Sequence, residues 1–170
     1  LMAVLFPILS KIQNNLEQFK NVVLKVYGIL TFIVFMIVGI LHISSNEIIL
    51  ILFGEKWQES IDIFKILVLS GFVFPLSALL VSVLSSRGKS KQFLILEVYK
   101  KIIISLNFIT LYFYGIEMYL YGMIISLSLC LLINILFVCK EINLNFYLFL
   151  KPLIIQLLIA TFSVIITILT

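Results

Sequence analysis

Of the side chains that ordinarily do chemistry, this chain has one histidine, two cysteines and eight carboxylates among 170 residues. His42 stands at the end of a long uncharged run. A lone imidazole there reads as a packing residue at a lipid boundary, not as a metal ligand or proton relay. Glu47, Glu55, Glu59 and Asp62 cluster in sequence, but no Asp-x-Asp or calcium-loop spacing joins them, so they read as a solvated rim. Cys130 and Cys139 lie on opposite sides of one helical run, roughly 14 Å apart at helical rise, too far to pair. Neither a CxxC nor a His–Cys ligand spacing occurs. No Gly-rich phosphate loop, Ser-His-Asp order or zinc spacing is present either. The reading is of a protein that is not an enzyme, with no cofactor and no metal.

Transport, unlike catalysis, has candidates. A polar side chain inside lipid is costly unless it faces a cavity or another helix. Lys65, Asn107, Asn134 and Gln156 fall inside apolar runs. Lys65 either pairs with Asp62 at i,i+3 or points a cation at an anionic substrate; position favours the pair. Asn107 and Asn134 fit helix–helix hydrogen bonding, worth about 0.6 to 2 kcal/mol each. Arg87, Lys89 and Lys91 fit anchoring at a cytoplasmic boundary, or guidance of an anionic headgroup. Lys100 and Lys101 follow Glu97 at i,i+3 and i,i+4.

The elements that must position these residues are membrane spans. Hydrophobic residues make up 63% of the chain, charged ones 12%, and the mean hydropathy is +1.26. A soluble domain of this size could not cover so much apolar surface, since charged residues ordinarily supply about a quarter of its positions. The net charge of +4 is dispersed along the chain, so it does not point to nucleic acid. Leu1 to Ser10 lacks both a basic leader and a cleavage site, and reads as the tail of a span whose beginning is missing. Lys11 to Val23 has Ile12, Leu16, Phe19 and Val23 at helical spacing and reads as an amphipathic interfacial helix. Spans are expected at Val22–Ser44, Ile61–Leu84, Phe93–Tyr114, Tyr119–Cys139 and Pro152–Thr170. Pro75 removes the N–H that would bond the carbonyl of Gly71, so the second span should kink.

Two outward bends follow, at Gly54–Ser60 and at Gly115-Ile116-Glu117. Gly54 supplies the positive φ that ends the apolar turn Ile48–Phe53, and Trp57 takes headgroup depth. Tyr112, Tyr114, Tyr119 and Tyr121 bracket the second bend as an aromatic belt. Placing Lys11–Lys25, Arg87–Lys101 and Lys140–Lys151 on one side gives it ten of the twelve basic residues and makes that side cytoplasmic. The fold class is all-α, a multispanning helical membrane protein with about five spans and an N-terminal partial span. Residues 1–170 read as one transmembrane domain, with no internal repeat of 20 to 50 residues.

Three stretches carry a resemblance. Leu52-Phe53-Gly54-Glu55-Lys56-Trp57, followed by the helix from Ile63 to Phe72 and then Pro75, is one. Phe6-Pro7-Ile8-Leu9-Ser10-Lys11 is the second, and Ser86-Arg87-Gly88-Lys89-Ser90 with Phe93 to Lys101 is the third. In order and spacing they resemble the C-terminal half of a Wzx-type polysaccharide flippase of the MOP superfamily. Gln58-Glu59-Ser60 departs from the apolar-Pro-Ala step more usual in that family. The resemblance implies one lobe of a MOP/MATE-like transporter in the bacterial inner membrane. It implies an undecaprenyl-diphosphate-linked oligosaccharide as substrate, with membrane lipid and a missing N-terminal lobe as partners and no nucleic acid. Alternating access would make Pro75 a hinge candidate and Lys65, Arg87, Lys100, Lys101, Asn107 and Asn134 substrate-contact candidates. The alternatives are a drug or cation antiporter of the same superfamily, a membrane-embedded transferase, and a non-transporting scaffold. An antiporter would normally need an acidic group deep in a span, and a transferase an outer-loop Arg, His or Asp constellation. Neither is visible.

Overall fold

The computed structural model describes residues 2–88 and 90–169, with side chains from 6 to 88 and from 91 to 160; Lys89 and the close of the fifth expected span lie outside this range. The described secondary structure is helical throughout. It comprises α1 (Met2–Ile12), α2 (Leu16–Ile43), α3 (Ser45–Phe53), α4 (Ser60–Ser70), α5 (Val73–Ser86), α6 (Ser90–Leu106), α7 (Phe108–Ile142) and α8 (Phe146–Leu169), with a 3-10 turn at Glu55–Trp57. By length and composition α2, the α4–α5 unit and α7 can each cross a membrane, and Phe146–Ala160 is a shorter apolar helix. The chain is an all-α membrane protein.

Two hairpins organise the chain. In the first, α2 and α3 run out and α4 and α5 return. The rings of Phe35 and Phe72 meet at 5.2 Å, and His42 Nδ1 lies 3.3 Å from the Lys65 carbonyl oxygen; both pairs centre on Phe53–Gly54. In the second, α6 runs out to Tyr114 and α7 returns. Asn107 Nδ2 donates to the Tyr119 carbonyl at 3.1 Å, and Cys130 Sγ lies 4.0 Å from the Lys100 carbonyl; these pairs centre on residues 113–115. The two reversals share one backbone state. Gly54 has φ 82° and ψ 175°, and Gly115 has φ 80° and ψ −172°. That region is essentially closed to residues with a Cβ. Both expected outward bends are therefore where the sequence placed them.

Each outgoing limb is also interrupted shortly before its glycine. The first limb breaks at Ser44, after which Ser45 Oγ donates to the carbonyls of Leu41 and His42. The second breaks at Asn107, where i→i+3 bonds from Asn107 N to Ile104 O and from Thr110 N to Asn107 O replace the α-helical pattern. The expected third span, Phe93–Tyr114, falls across α6 and the first two turns of α7, and α6 is not among the described helices long and apolar enough to cross a membrane. Long helix, break, short helix, glycine reversal and return helix form a pattern that occurs twice, 61 residues apart, outside the 20-to-50-residue window in which no repeat was found.

The return limb of the first hairpin breaks at Gly71–Phe72, between α4 and α5, four residues before Pro75. Pro75 falls in the first turn of α5, where a missing N–H removes no helical bond. Helix α5 packs against α1, α2, α6 and α7. Its Leu76, Leu79, Leu80, Val83 and Leu84 are fully buried at helical spacing, making α5 the centre of the core.

The interfacial helix expected at Lys11–Val23 is not one helix. Lys11 and Ile12 end α1, residues 13–15 form a break, and Asn15 caps α2 by accepting the Gln18 N–H at 3.1 Å. The apolar spacing that suggested an interfacial helix continues through Phe19, Val23, Tyr27 and Thr31, all buried. It is the packing face of a long straight helix, with Tyr27 edge-on to Phe149 of α8 at 4.9 Å. Helix α2 spans about 42 Å at 1.5 Å per residue, more than the ~30 Å of a hydrocarbon core. Its first turns therefore extend beyond the length that a hydrocarbon core requires.

No atom lies within 4 Å of a Cβ added at Gly54 or Gly115, so replacing either tests conformation alone. Gly54→Ala and Gly115→Ala should each destabilise the chain by roughly 1–3 kcal/mol. Gly28→Ala, an equally open position inside α2, should be neutral or stabilising. Thermal midpoints of the purified protein in detergent measure the difference; equal midpoints for all three would contradict the turn assignment.

Candidate translocation face

The six candidate contact residues do not converge on one site. Lys65 sits at the outer end of the first hairpin with Nζ 3.9 Å from Asp62 Oδ1, a carboxylate 91% exposed. So open a pair contributes about 0 to 1 kcal/mol at most. Asn107 is buried at the break between α6 and α7. Besides donating to Tyr119, its Oδ1 accepts from Thr110 Oγ1 at 3.0 Å. Asn134 lies in the core, 0% exposed, and neither its Oδ1 nor its Nδ2 has a hydrogen-bond partner. Arg87 lies at the turn between α5 and α6, with its guanidinium engaged by other turns: Nη1 donates to the Gln13 carbonyl at 2.7 Å.

Lys100 and Lys101 are separated in role by one residue of helical rotation. The Lys100 ammonium is paired with the Glu97 carboxylate, and its side chain is only 13% exposed. Lys101 is exposed on an open groove along α6 lined by Leu94, Glu97, Val98, Lys101, Ile102, Ser105 and Leu106. Two rows run side by side in this groove. Leu94, Val98, Ile102 and Leu106 form an apolar row, and Glu97, Lys101 and Ser105 a polar one, each at i,i+4 spacing. Because Glu97 is matched by Lys100, the polar row carries one net positive charge, at Lys101.

Lys101 is eleven residues into α6, about 16 Å along its axis from Ser90. Against acyl chains, an outward-facing ion pair, a cation and a hydroxyl would be poorly accommodated. The outward faces of α2 and α7 are different, carrying Ile29, Phe32, Ile33, Met36, Ile37 and Ile40 on one and Ile125, Leu129 and Leu136 on the other. Those faces are apolar throughout; the α6 face is also largely apolar, through Leu94, Val98, Ile102 and Leu106, and differs in carrying the polar row beside them. Among the described residues no group of three or more His, Cys, Asp or Glu side chains is placed to hold a metal ion.

Sequence reasoning missed Gly122, Ser105 and Glu141. Gly122 faces Asn107 so closely that a Cβ there would stand 2.1 Å from Asn107 Oδ1. A small residue opposite a polar one is the available signal, but only the hairpin register shows that 107 meets 122. Ser105 is one turn beyond Lys101, a spacing visible once α6 is known to be helical. Glu141 follows Lys140 and was hidden by the basic character of its loop.

Comparison with known proteins agrees with the resemblance carried by Leu52 to Trp57. A family model described as "Polysaccharide biosynthesis protein" matches residues 1–62, which include that stretch and Phe6 to Lys11. Among curated proteins, the chain is similar to an "Uncharacterized membrane protein in cps region" of Klebsiella pneumoniae. The two are 29% identical over 149 residues, covering 88% of this chain and 29% of that protein. The chain thus spans less than a third of the length of this relative. No solved structure matches.

The Asn107–Gly122 contact is open to a direct check. Gly122→Ala should push the Asn107 amide off Tyr119 and cost about 1 to 2 kcal/mol, as should Asn107→Ala by removing the bond. The double variant should cost clearly less than both together, because the clash disappears with the amide. Additive losses, read from unfolding in detergent, would place the two residues apart.

Proposed function

We propose that this chain is a helical lobe of an inner-membrane flippase that carries lipid-diphosphate-linked oligosaccharides across the bilayer, and that the open face of α6 is its share of the translocation path. The observation that carries the proposal is the pairing of two rows on that face. A lipid-linked sugar diphosphate is itself amphiphilic, with an anionic headgroup and an apolar tail. The row Glu97–Lys101–Ser105 offers the headgroup a cation and a hydroxyl, and the row Leu94–Val98–Ile102–Leu106 gives the tail an apolar wall. The similarity to a membrane protein from a cps region and to a polysaccharide biosynthesis family supports the same substrate class.

The chemistry asked of the chain is modest. A diphosphate entering a low-dielectric region needs counter-charge, or desolvation costs it several kcal/mol or more. Lys101 meets it from the cytoplasmic half of α6. Lys100 assists indirectly by neutralising Glu97, which would otherwise repel the anion. Gly71, Phe72 and Pro75 interrupt the return limb of the first hairpin and are where this lobe can bend as its surroundings rock. The opposing wall, and any cation deeper in the path, comes from a second lobe of a longer protein.

The test is surface polysaccharide display in cells that depend on the full-length protein. Lys101→Glu should lower export about tenfold or more, the equivalent of ~1.4 kcal/mol or more. Lys100→Gln should act through Glu97, so that adding Glu97→Gln restores export. Lys65→Ala at the outer rim should have little effect. Full export with Lys101→Glu, at normal protein level, would remove α6 from the path.

A further inference from the structure

Arg87 was read from sequence as an anchor or a guide for headgroups, yet its surroundings point inward. Nη1 donates to the Gln13 carbonyl in the break between α1 and α2, at 2.7 Å. Nε lies 3.6 Å from Glu141 Oε1 in the last turn of α7, too long for a hydrogen bond and within range of an ion pair. The guanidinium carbon stands 5.8 Å from the centroid of Phe19 in the second turn of α2, with the ring beneath it. The Glu141 side chain is only 9% exposed and that of Arg87 26%. One side chain thus reaches all three turns that positive-inside counting assigned to the cytoplasm: α1–α2, α5–α6 and α7–α8.

A lysine could not do this. The planar fork of arginine sends donors in two directions and offers a flat face to an aromatic ring, whereas an ammonium is a point charge. Nor is the contact replaceable by propensity or burial nearby. Gly88, next in sequence, has φ 71° and turns the chain sharply, so Arg87 is held at the rim of the core rather than in a floppy loop.

We propose that Arg87 is a positioning residue whose pairing with Glu141 fastens the three cytoplasmic turns into one rigid end, so that α6 and its open face move with the core of α5 and α7. Its charge is engaged within the protein and is not a substrate contact. The inference stands on the cluster itself and does not require the flippase reading.

A native probe sits beside the cluster. Cys139 is a free thiol, 8% exposed, two residues before Glu141. In a Cys130→Ala background it is the sole cysteine. Its rate of alkylation by N-ethylmaleimide, which permeates membranes, then reports opening of this end in native membranes. Arg87→Ala should raise the rate at least tenfold and Arg87→Lys by less. Glu141→Gln, which keeps shape and loses charge, should raise it severalfold. The exchanged pair Arg87→Glu with Glu141→Arg should recover part of the protection lost in Arg87→Glu alone, because it restores the 87–141 pair but not the contacts to Gln13 and Phe19. An unchanged rate in Glu141→Gln and Arg87→Ala would overturn the proposal, as would an exchanged pair no better protected than Arg87→Glu alone. Export by the full-length protein separates the two roles of the charge. With the exchanged pair protected, retained export supports the staple, and lost export assigns Arg87 to the substrate and refutes it.

Discussion

Two peptide units near φ 80° with extended ψ, at Gly54 and Gly115, set the geometry on which the rest depends. Each reverses a helical limb within one residue, and in a membrane an abrupt reversal matters. Backbone groups left unpaired in or near lipid are expensive, so a turn must stay short and keep its flanking helices hydrogen-bonded. At Gly115 the return limb follows directly, while a 3-10 turn and residues 58–59 lead from Gly54 into α4. The register of each hairpin follows from its bend: His42 meets Lys65 and Phe35 meets Phe72 across the first, Asn107 meets Tyr119 and Gly122 across the second. At the opposite end the connections are short and largely polar, and there Arg87 does the joining that glycine does at the bends.

The interior is built on the same division of labour as any helical protein, but the exterior is inverted. Helix α5 buries Leu76, Leu79, Leu80, Val83 and Leu84 against its neighbours, while α2 and α7 turn isoleucine, phenylalanine, leucine and methionine outward. In lipid, apolar burial no longer drives helices together, so packing and hydrogen bonds must hold them. Asn107 with Tyr119 and Thr110, Arg87 with Gln13 and Glu141, and the Tyr27–Phe149 edge contact supply those. Helix α6 departs from the pattern, since its outward face carries charge. It sets a polar row, Glu97, Lys101 and Ser105, beside an apolar one, Leu94, Val98, Ile102 and Leu106.

Much of this was legible beforehand. Composition alone demanded lipid, and Gly54 and Gly115 marked the outer bends because each stands between an apolar run and a polar or aromatic boundary. Basic residues grouped three connections on one side, and Gln13, Arg87 and Glu141 meeting at one end agrees with that grouping. What stayed hidden depended on which residues become neighbours. The spacing of Ile12, Leu16, Phe19 and Val23 describes an amphipathic helix equally well in a headgroup layer or in a bundle; only Asn15 capping α2 and burial of Phe19 and Val23 decide. Lys100 and Lys101 are adjacent letters with the same charge, yet 100° of helical rotation sends one to Glu97 and the other to an open groove. The interruption at Asn107 left no mark that propensity could read, because it is fixed by a partner fifteen residues away, Gly122.

The central claim is that the polar row of α6, Glu97, Lys101 and Ser105, meets water and not the acyl chains of the bilayer. Spin labels placed singly along positions 93 to 106 of the full-length protein in bilayers, compared for collision with a water-soluble nickel chelate and with oxygen, measure this directly. Labels at Glu97, Lys101 and Ser105 should be reached by the chelate, with the periodicity of a helix. Labels at Ile125, Leu129 and Leu136 of α7 should be reached by oxygen and shielded from the chelate. Equal shielding of both sets would place α6 in lipid and contradict the account.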